Sequence, residues 1–210
     1  LSSFVGAGTD NTASGNCGSV AVGGMSNTSS GLSSFIGGGS CHNATQAGAA
    51  IVGGFSNCAS CKGTFVGGGF SNSAMGEFAT IAGGVSNSSC GKFGSIGGGC
   101  NHDSQDCFGT IGGGLCNCVS NYGTVGGGES NVACGCCHST VGGGKSNRAT
   151  ACESTIAGGR GNCTTEAGAT IGGGKDNLAC VCYGTIGGGQ NNSVTSAAFG
   201  TIAGGAENKV

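Results

Sequence analysis

The residues best suited to chemistry in this sequence are its 16 cysteines. So many cysteines in a chain of 210 residues favour an oxidising, extracellular environment, where disulfides persist. Many of them recur about one repeat apart, and equivalent places in adjacent turns of a stack lie within the Cα separation that a disulfide accepts. We therefore predict disulfides between neighbouring turns. The candidate pairs are Cys137 with Cys152, Cys100 with Cys116, Cys118 with Cys134, and Cys163 with Cys180.

Three alternatives to these bonds stay open. Cysteines that are close in sequence, such as Cys58 and Cys61, allow bonds within one turn, and spacing alone does not fix connectivity. The thiols can also stay reduced and buried. Cys58-x-x-Cys61 has the spacing of half a zinc site, but a structural zinc site needs paired half-sites at a defined spacing. We therefore predict no bound metal and no cofactor.

These side chains are carried by a repeat of about 15 residues that runs along the whole chain. An aliphatic residue marks each copy from Val5 to Ile202, and Gly stands three residues later every time. Such a repeat fixes the architecture before any local motif does. Stacked copies bury the aliphatic residues in one core. The predicted core ladder contains Ile36, Ile51, Ile81, Ile96, Ile111, Ile156, Ile171, Ile186 and Ile202.

The repeat predicts short strands rather than helices. No apolar period of 3.6 residues is present, whereas Thr-Ile and Ser-Ile pairs bounded by Gly and Asn suit strands and turns. A repeat of this length, at about 3.3 Å per residue, closes one small coil. The predicted fold is an all-β parallel β-solenoid of about 14 coils, with about 15 residues per coil. It forms a single repeat domain over residues 1–210.

The glycines after the aliphatic residue have two interpretations. Glycine adopts the positive φ of tight turns, and it also lets a second backbone come close. Three consecutive glycines exceed what one turn needs, so we favour close approach of another chain. The predicted close-approach positions are Gly113, Gly143, Gly173 and Gly188.

Six residues after the aliphatic residue stands an Asn in most copies, replaced by His42 and His102 in two. Asn tolerates left-handed turns, and stacked Asn side chains bond to one another. We expect a row of Asn along one corner of the stack.

Composition argues against several classes of protein. The chain has 51 Gly, no Pro, 8% charged residues and a net charge of −2. Gly does not fall at every third residue, as collagen requires, and the strict apolar register argues against disorder. A nearly neutral chain without basic runs argues against nucleic acid as a partner, and no apolar stretch of about 18 residues could span a membrane. We see no paired acid and base or activated nucleophile, and predict no enzyme.

Two outward rows suggest alternative functions. Threonine precedes the aliphatic residue from Thr110 to Thr201, and such an array presents regularly spaced hydroxyls suited to binding ice. Aromatic residues from Phe78 to Phe199 share another place in the repeat. Stacked aromatics suit either packing or a glycan-binding strip. Ice binding and glycan binding are therefore the alternative functions.

The stretch Thr64–Gly76, which reads TFVGGGFSNSAMG, is similar to the head repeats of trimeric autotransporter (YadA-like) adhesins and of related viral and phage fibres. Through its registered copies the resemblance covers the whole chain. It implies a left-handed parallel β-roll, usually trimeric, on a cell or virion surface. Gly113 and Gly173 stand where that family has a second Ile, and the family is generally poor in Cys.

These observations together predict an extracellular structural fibre or adhesin segment. Both ends fall inside the repeat without the polar cap that solenoids need, so we expect a segment of a longer fibre protein. The expected assembly is a homo-oligomer, either a trimer or a filament. Any host-surface or glycan target lies beyond what the residues specify.

Overall fold

The computed structural model describes residues 2–196 and 198–210. All regular structure in these residues is β, and every strand pairs in parallel with its equivalent in the neighbouring coil. The prediction of an all-β parallel β-solenoid with coils of about 15 residues is confirmed. The chain contains two compact units, Leu1–Ser104 and Gln105–Val210, and each is described by itself.

The first unit holds 14 strands of two residues each. The odd-numbered strands form one parallel sheet and the even-numbered strands form another, so each coil contributes one strand to each sheet. The strands are β1 (Phe4–Val5), β2 (Thr12–Ala13), β3 (Val20–Ala21), β4 (Thr28–Ser29), β5 (Phe35–Ile36), β6 (Asn43–Ala44), β7 (Ala50–Ile51), β8 (Cys58–Ala59), β9 (Phe65–Val66), β10 (Ser73–Ala74), β11 (Thr80–Ile81), β12 (Ser88–Ser89), β13 (Ser95–Ile96) and β14 (Asp103–Ser104).

The second unit repeats this plan with 13 strands. Again the odd- and even-numbered strands form two separate parallel sheets. The strands are β15 (Thr110–Ile111), β16 (Cys118–Val119), β17 (Thr124–Val125), β18 (Val132–Ala133), β19 (Thr140–Val141), β20 (Arg148–Ala149), β21 (Thr155–Ile156), β22 (Cys163–Thr164), β23 (Thr170–Ile171), β24 (Leu178–Ala179), β25 (Thr185–Ile186), β26 (Ser193–Val194) and β27 (Thr201–Ile202).

The core lies between the two sheets of each unit. Side chains alternate across a strand, so in each strand of two residues the second points inward and the first outward. The odd strands supply Ile or Val, with Ala21 in β3 as the exception, and the even strands supply Ala, Val, Ser or Thr, which fill the narrow space left opposite. The nine isoleucines of the predicted core ladder are all buried, with Ile202 in the last odd strand the most exposed at 6%.

Each coil closes because it has three places where the backbone turns left-handed. Gly three residues after the aliphatic residue has φ of 88° to 99° throughout. The second place lies two residues further on and holds Ser, Asn, Asp, Cys or Glu, such as Ser71 at φ 53°. In one coil it holds Gly161. The third place holds Gly or an aromatic residue in most coils, such as Phe78 at φ 58°, and Ser33 or Glu153 in the other two. Short polar residues and Gly suit such turns, whereas bulky residues there carry a strain of about 1–2 kcal/mol.

Candidate functional site

The glycines that follow the aliphatic residue differ in what their neighbours allow. At the first, a Cβ would collide with a backbone carbonyl of the next coil, as at Gly172 with Gly187. At the third, φ is positive and a Cβ would again meet the next coil, as at Gly174 with Gly189. At the middle glycine a Cβ would meet open space, as at Gly188. Packing within the chain therefore accounts for the first and third glycines. The middle glycine has a positive φ of 151–157° at Gly68, Gly98 and Gly173, whereas at Gly38, Gly158, Gly188 and Gly204 nothing within the chain accounts for it.

The predicted close-approach glycines all occupy the middle place. A Cβ at Gly173 or Gly188 would have nothing within 4 Å, and at Gly143 the nearest atom would be 4.0 Å away. All four carbonyls accept a hydrogen bond from the Asn four residues later, Gly113 from Asn117 at 2.9 Å among them. We name these middle glycines, with Ala7 in the first coil, the middle-glycine row. Its backbone is fixed from inside by Asn side chains in most coils, and apart from Ala7 its outer side bears no side chain.

The positions that flank the middle-glycine row differ between the two units. In the first unit they carry exposed apolar side chains: Val22, Val52, Met25, Phe55, Phe70 and Val85 are each 43–51% exposed. The rings of Phe55 and Phe70 stack with centroids 5.3 Å apart. In the second unit the places equivalent to Met25 and Phe55, between Leu115 and Ala206, carry charge or amide groups instead. They are Glu129, Lys145, Arg160, Lys175 and Gln190, with an ion pair of 2.8 Å between Lys145 and Glu129.

The predicted Asn row is present and lies inside the coils. Asn72 shows the pattern: its Nδ2 donates to the carbonyls of Gly68 at 2.9 Å and Gly84 at 2.8 Å. Its Oδ1 accepts from the backbone N–H of Asn87 at 3.0 Å. One side chain thus satisfies two carbonyls and one amide, in two adjacent coils. Such buried backbone groups need a partner.

His42 replaces Asn in this row and reproduces part of the pattern. Its Nδ1 accepts from the backbone N–H of Asn57 at 3.1 Å. The side chain is fully buried, and this burial holds the pKa of His42 below its ordinary value of 6.5, against the opposing effect of backbone hydrogen bonds to Gly54 and Asn57. A buried imidazole in this place is therefore kept neutral.

The structure bonds Cys152 to Cys136, with Cα atoms 5.0 Å apart, and not to Cys137 as the spacing predicts. The reason is one extra residue in this corner. Ala133 pairs with Ala149 but Thr140 pairs with Thr155, so the earlier coil has an additional residue between its two strands. Counted from the preceding strand, Cys136 and Cys152 are equivalent. The prediction of a bond from Cys152 to the neighbouring coil holds, and the choice of partner was wrong by one residue.

Two of the other predicted pairs, both within the second unit, are not placed opposite one another. The register sets Val132 opposite Cys118 and Leu178 opposite Cys163. Cys134 and Cys180 each lie two residues beyond the residue that faces the predicted partner. The diagonal distance between the two cysteines of each pair is therefore about 7–8 Å, which exceeds the reach of a disulfide. Burial raises the pKa of the Cys163 thiol, which favours its protonated form. Cys100 lies half-buried in the first unit and Cys116 exposed in the second, so their pairing stays a prediction.

A cluster of three sulfurs was missed by the sequence reasoning. The Sγ atoms of Cys136, Cys137 and Cys152 all lie within 4.8 Å of one another. Two signals could have found it: the adjacent cysteines at 136 and 137, and the C-x-x-C spacing from Cys134 to Cys137. What the spacing did not reveal is which coil supplies the third sulfur. We call these three residues the three-sulfur cluster.

The aromatic row is exposed and internally stacked. The rings of Phe78 and Phe93 have centroids 5.3 Å apart with planes inclined by 11°, and Tyr183 with Phe199 repeats this at 5.3 Å and 5°. Parallel rings at this distance are offset-stacked and cover part of one another's faces. A sugar stacks on an open ring face, so the glycan-binding hypothesis gains no support from this geometry.

The threonine row is regular in the second unit. Seven threonines occupy the outward position of successive odd strands and pair in register, as Thr155 does with Thr140 and Thr170. Parallel strands place these side chains about 4.8 Å apart. In the first unit the same position holds Phe, Val, Ala, Thr and Ser, so the array is confined to one unit.

The sequence matches no protein-family model and no curated protein.

Among the residues that the structure describes, no helix has the length and apolar character needed to cross a membrane.

Proposed function

We propose that this chain is a segment of an extracellular structural fibre or adhesin that works by self-association. A β-solenoid held together by backbone pairing, Asn hydrogen bonds and a disulfide between coils provides a stiff scaffold. The resemblance to adhesin head repeats and the abundance of cysteine support an extracellular location on a cell or virion surface. The role is structural rather than catalytic.

The observation that carries this proposal is the open outer side of the middle-glycine row. Gly38, Gly158, Gly188 and Gly204 have no positive φ, and a Cβ on any of them would meet nothing within 4 Å. Glycine costs the folded chain entropy relative to Ala, so its recurrence here needs a cause outside the chain. Close approach of another backbone is such a cause, because a side chain would hold that backbone away.

The apolar side chains beside this row in the first unit support a second copy of the chain as the partner. Exposed apolar rows such as Met25, Phe55 and Phe70 mark surfaces that become buried on association. A copy that packs with the same register brings apolar side chains against apolar side chains.

Replacing a middle glycine by a larger residue tests the proposal. Gly38→Val and Gly188→Val each add a side chain where the single chain has room, so the fold should persist. We expect each to weaken self-association at least about tenfold, since an intruding side chain costs an interface about 1.4 kcal/mol or more. Sedimentation velocity over a range of concentrations measures the change.

The matched control is Gln46→Val, which introduces the same side chain at an exposed position of the coil that contains Gly38. It should associate like the unmodified chain. A monomeric unmodified chain at all concentrations, or glycine variants that associate as well as the control, would contradict the proposal.

Ice binding is a second candidate, favoured by the registered threonines of the second unit. Seven outward hydroxyls at about 4.8 Å intervals form an ordered row. Thermal hysteresis of the purified protein tests it, with Thr155→Lys as the variant that interrupts the row. An unmodified chain without hysteresis removes this candidate and leaves the fibre proposal untouched.

A further inference from the structure

The three-sulfur cluster contains one cysteine more than a disulfide uses. Cys136 and Cys152 are bonded, whereas Cys137 has no disulfide partner and yet lies within 4.8 Å of both sulfurs. A bond between coils accounts for two sulfurs in this corner and leaves the third without a role.

The local backbone explains how three sulfurs converge. Cys136 and Cys137 follow β18 in the corner lengthened by one residue, and Cys152 follows β20 in the next coil. In this lengthened corner two consecutive cysteines lie near the same partner in the next coil. Gly135, where a Cβ would collide with the carbonyl of Ala151, keeps the two backbones close at this point.

Three thiolates in this arrangement match the requirements of a soft metal ion. Thiolates select Zn(II) and Cu(I) among the common biological cations. With metal–sulfur bonds of about 2.3 Å, the sulfurs around one ion lie about 3.8–4.0 Å apart. The present separations, all within 4.8 Å, reach that spacing by small side-chain rotations. Partial exposure of the cluster gives an ion access from solvent.

We propose that the reduced three-sulfur cluster binds one soft d¹⁰ cation, Zn(II) or Cu(I), through Cys136, Cys137 and Cys152. The site forms when two equivalents of an external thiol reduce the bond between Cys136 and Cys152 and leave as their own disulfide. Each protein thiol that binds the ion releases a proton. Oxidation re-forms the disulfide between Cys136 and Cys152 and so removes two of the three ligands. The two coils are therefore linked at this corner either by the disulfide or by the bound ion.

Metal titration of the reduced protein tests this proposal. The full chain is reduced with a phosphine, which does not compete as a thiolate ligand, and titrated anaerobically with Zn(II) or Cu(I) against a chromophoric chelator. We expect the unmodified chain to hold one more tightly bound ion than Cys137→Ser, with affinity at that site reduced at least about tenfold in the variant. Cys107→Ser, which removes an exposed thiol from another coil of the same unit, should titrate like the unmodified chain.

A second measurement separates ion binding from misfolding. Under oxidising conditions Cys137→Ser keeps both cysteines of the disulfide and should form it normally, as peptide mass mapping shows. In the reduced chain the bound ion should protect all three cysteines together from alkylation. Equal titration of Cys137→Ser and Cys107→Ser, or alkylation of the three thiols unaffected by the ion, overturns the proposal. The fibre proposal does not depend on either result.

Discussion

At the scale of single residues, the buried Asn of most coils joins its coil to the next. Its amide donates to one carbonyl in its own coil and one in the next, and its oxygen accepts from the following coil's backbone. An aliphatic side chain in place of Asn72 would leave the Gly68 carbonyl and the Asn87 N–H without partners, whereas the Gly84 carbonyl would keep the backbone N–H of Phe70. Asn therefore contributes through the groups it satisfies rather than through apolar burial.

Replacing Asn72 measures this contribution. Asn72→Ala leaves the carbonyl of Gly68 and the N–H of Asn87 unsatisfied and removes one of the two hydrogen bonds that the Gly84 carbonyl accepts. We expect a loss of about 3 kcal/mol in the free energy of unfolding. Asn72→His should cost less, because His42 in the equivalent place keeps the acceptor for the next coil's N–H. Urea unfolding of the two variants provides the comparison. Equal stability of Asn72→Ala and the unmodified chain would contradict the role assigned to this row.

His42 predicts a dependence of stability on pH. Because burial lowers its pKa in the folded chain, the unfolded chain takes up a proton first as the pH falls below about 6.5. The stability is fully present above that value and decreases as the pH falls towards the folded pKa. Unfolding free energies between pH 8 and pH 5 should therefore decrease more for the unmodified chain than for His42→Asn. Parallel pH profiles for the two proteins would show that His42 is not the cause.

At the scale of the element, two adjacent glycines of one turn differ in whether the fold requires them. Gly84 has φ of 98°, and a Cβ there would collide with the carbonyl of Gly99 in the next coil. Gly83 has no positive φ, and the nearest atom to a Cβ would be the Gly68 oxygen at 4.0 Å. The turn geometry requires Gly84, and nothing within the coil requires Gly83.

Alanine at these two positions should therefore have opposite effects. Gly84→Ala forces a side chain into a left-handed turn and against the next coil, and we expect a loss of at least about 2 kcal/mol. Gly83→Ala should leave stability unchanged or raise it by about 0.4–1 kcal/mol, because it restricts the unfolded chain. Thermal and urea unfolding at a low, fixed protein concentration distinguish the two. Similar losses in both variants would mean that the middle glycine is also needed inside the chain.

At the scale of the whole molecule, stability is built up between neighbouring coils. In stacked repeats each coil contacts only its neighbours, so a covalent bond between two coils protects that part of the stack from local unfolding. The bond from Cys136 to Cys152 spans 16 residues of sequence in the second unit. Closing a loop of this length is worth about 3 kcal/mol in the chain-entropy account.

Reduction should therefore lower the free energy of unfolding of the unmodified chain by about 3 kcal/mol. The measurement is urea unfolding with and without a phosphine reductant, in the presence of a metal chelator. Cys152→Ser, which lacks this bond, should lose little further stability on reduction. An equal effect of reductant on both proteins would show that other bonds hold the chain together.

The sequence by itself determined the repeat, the parallel β-solenoid and the identity of the buried rows, because each depends on a residue type that recurs at a constant interval. It did not determine which glycine is crowded and which is open, since that depends on where the carbonyls of the next coil lie. The same holds for the disulfide. One extra residue between β18 and β19 shifted the partner of Cys152 from Cys137 to Cys136 and brought three sulfurs together. Spacing along the chain is a property of one coil, whereas these contacts are made between two, and only the stacked structure fixes the register between them.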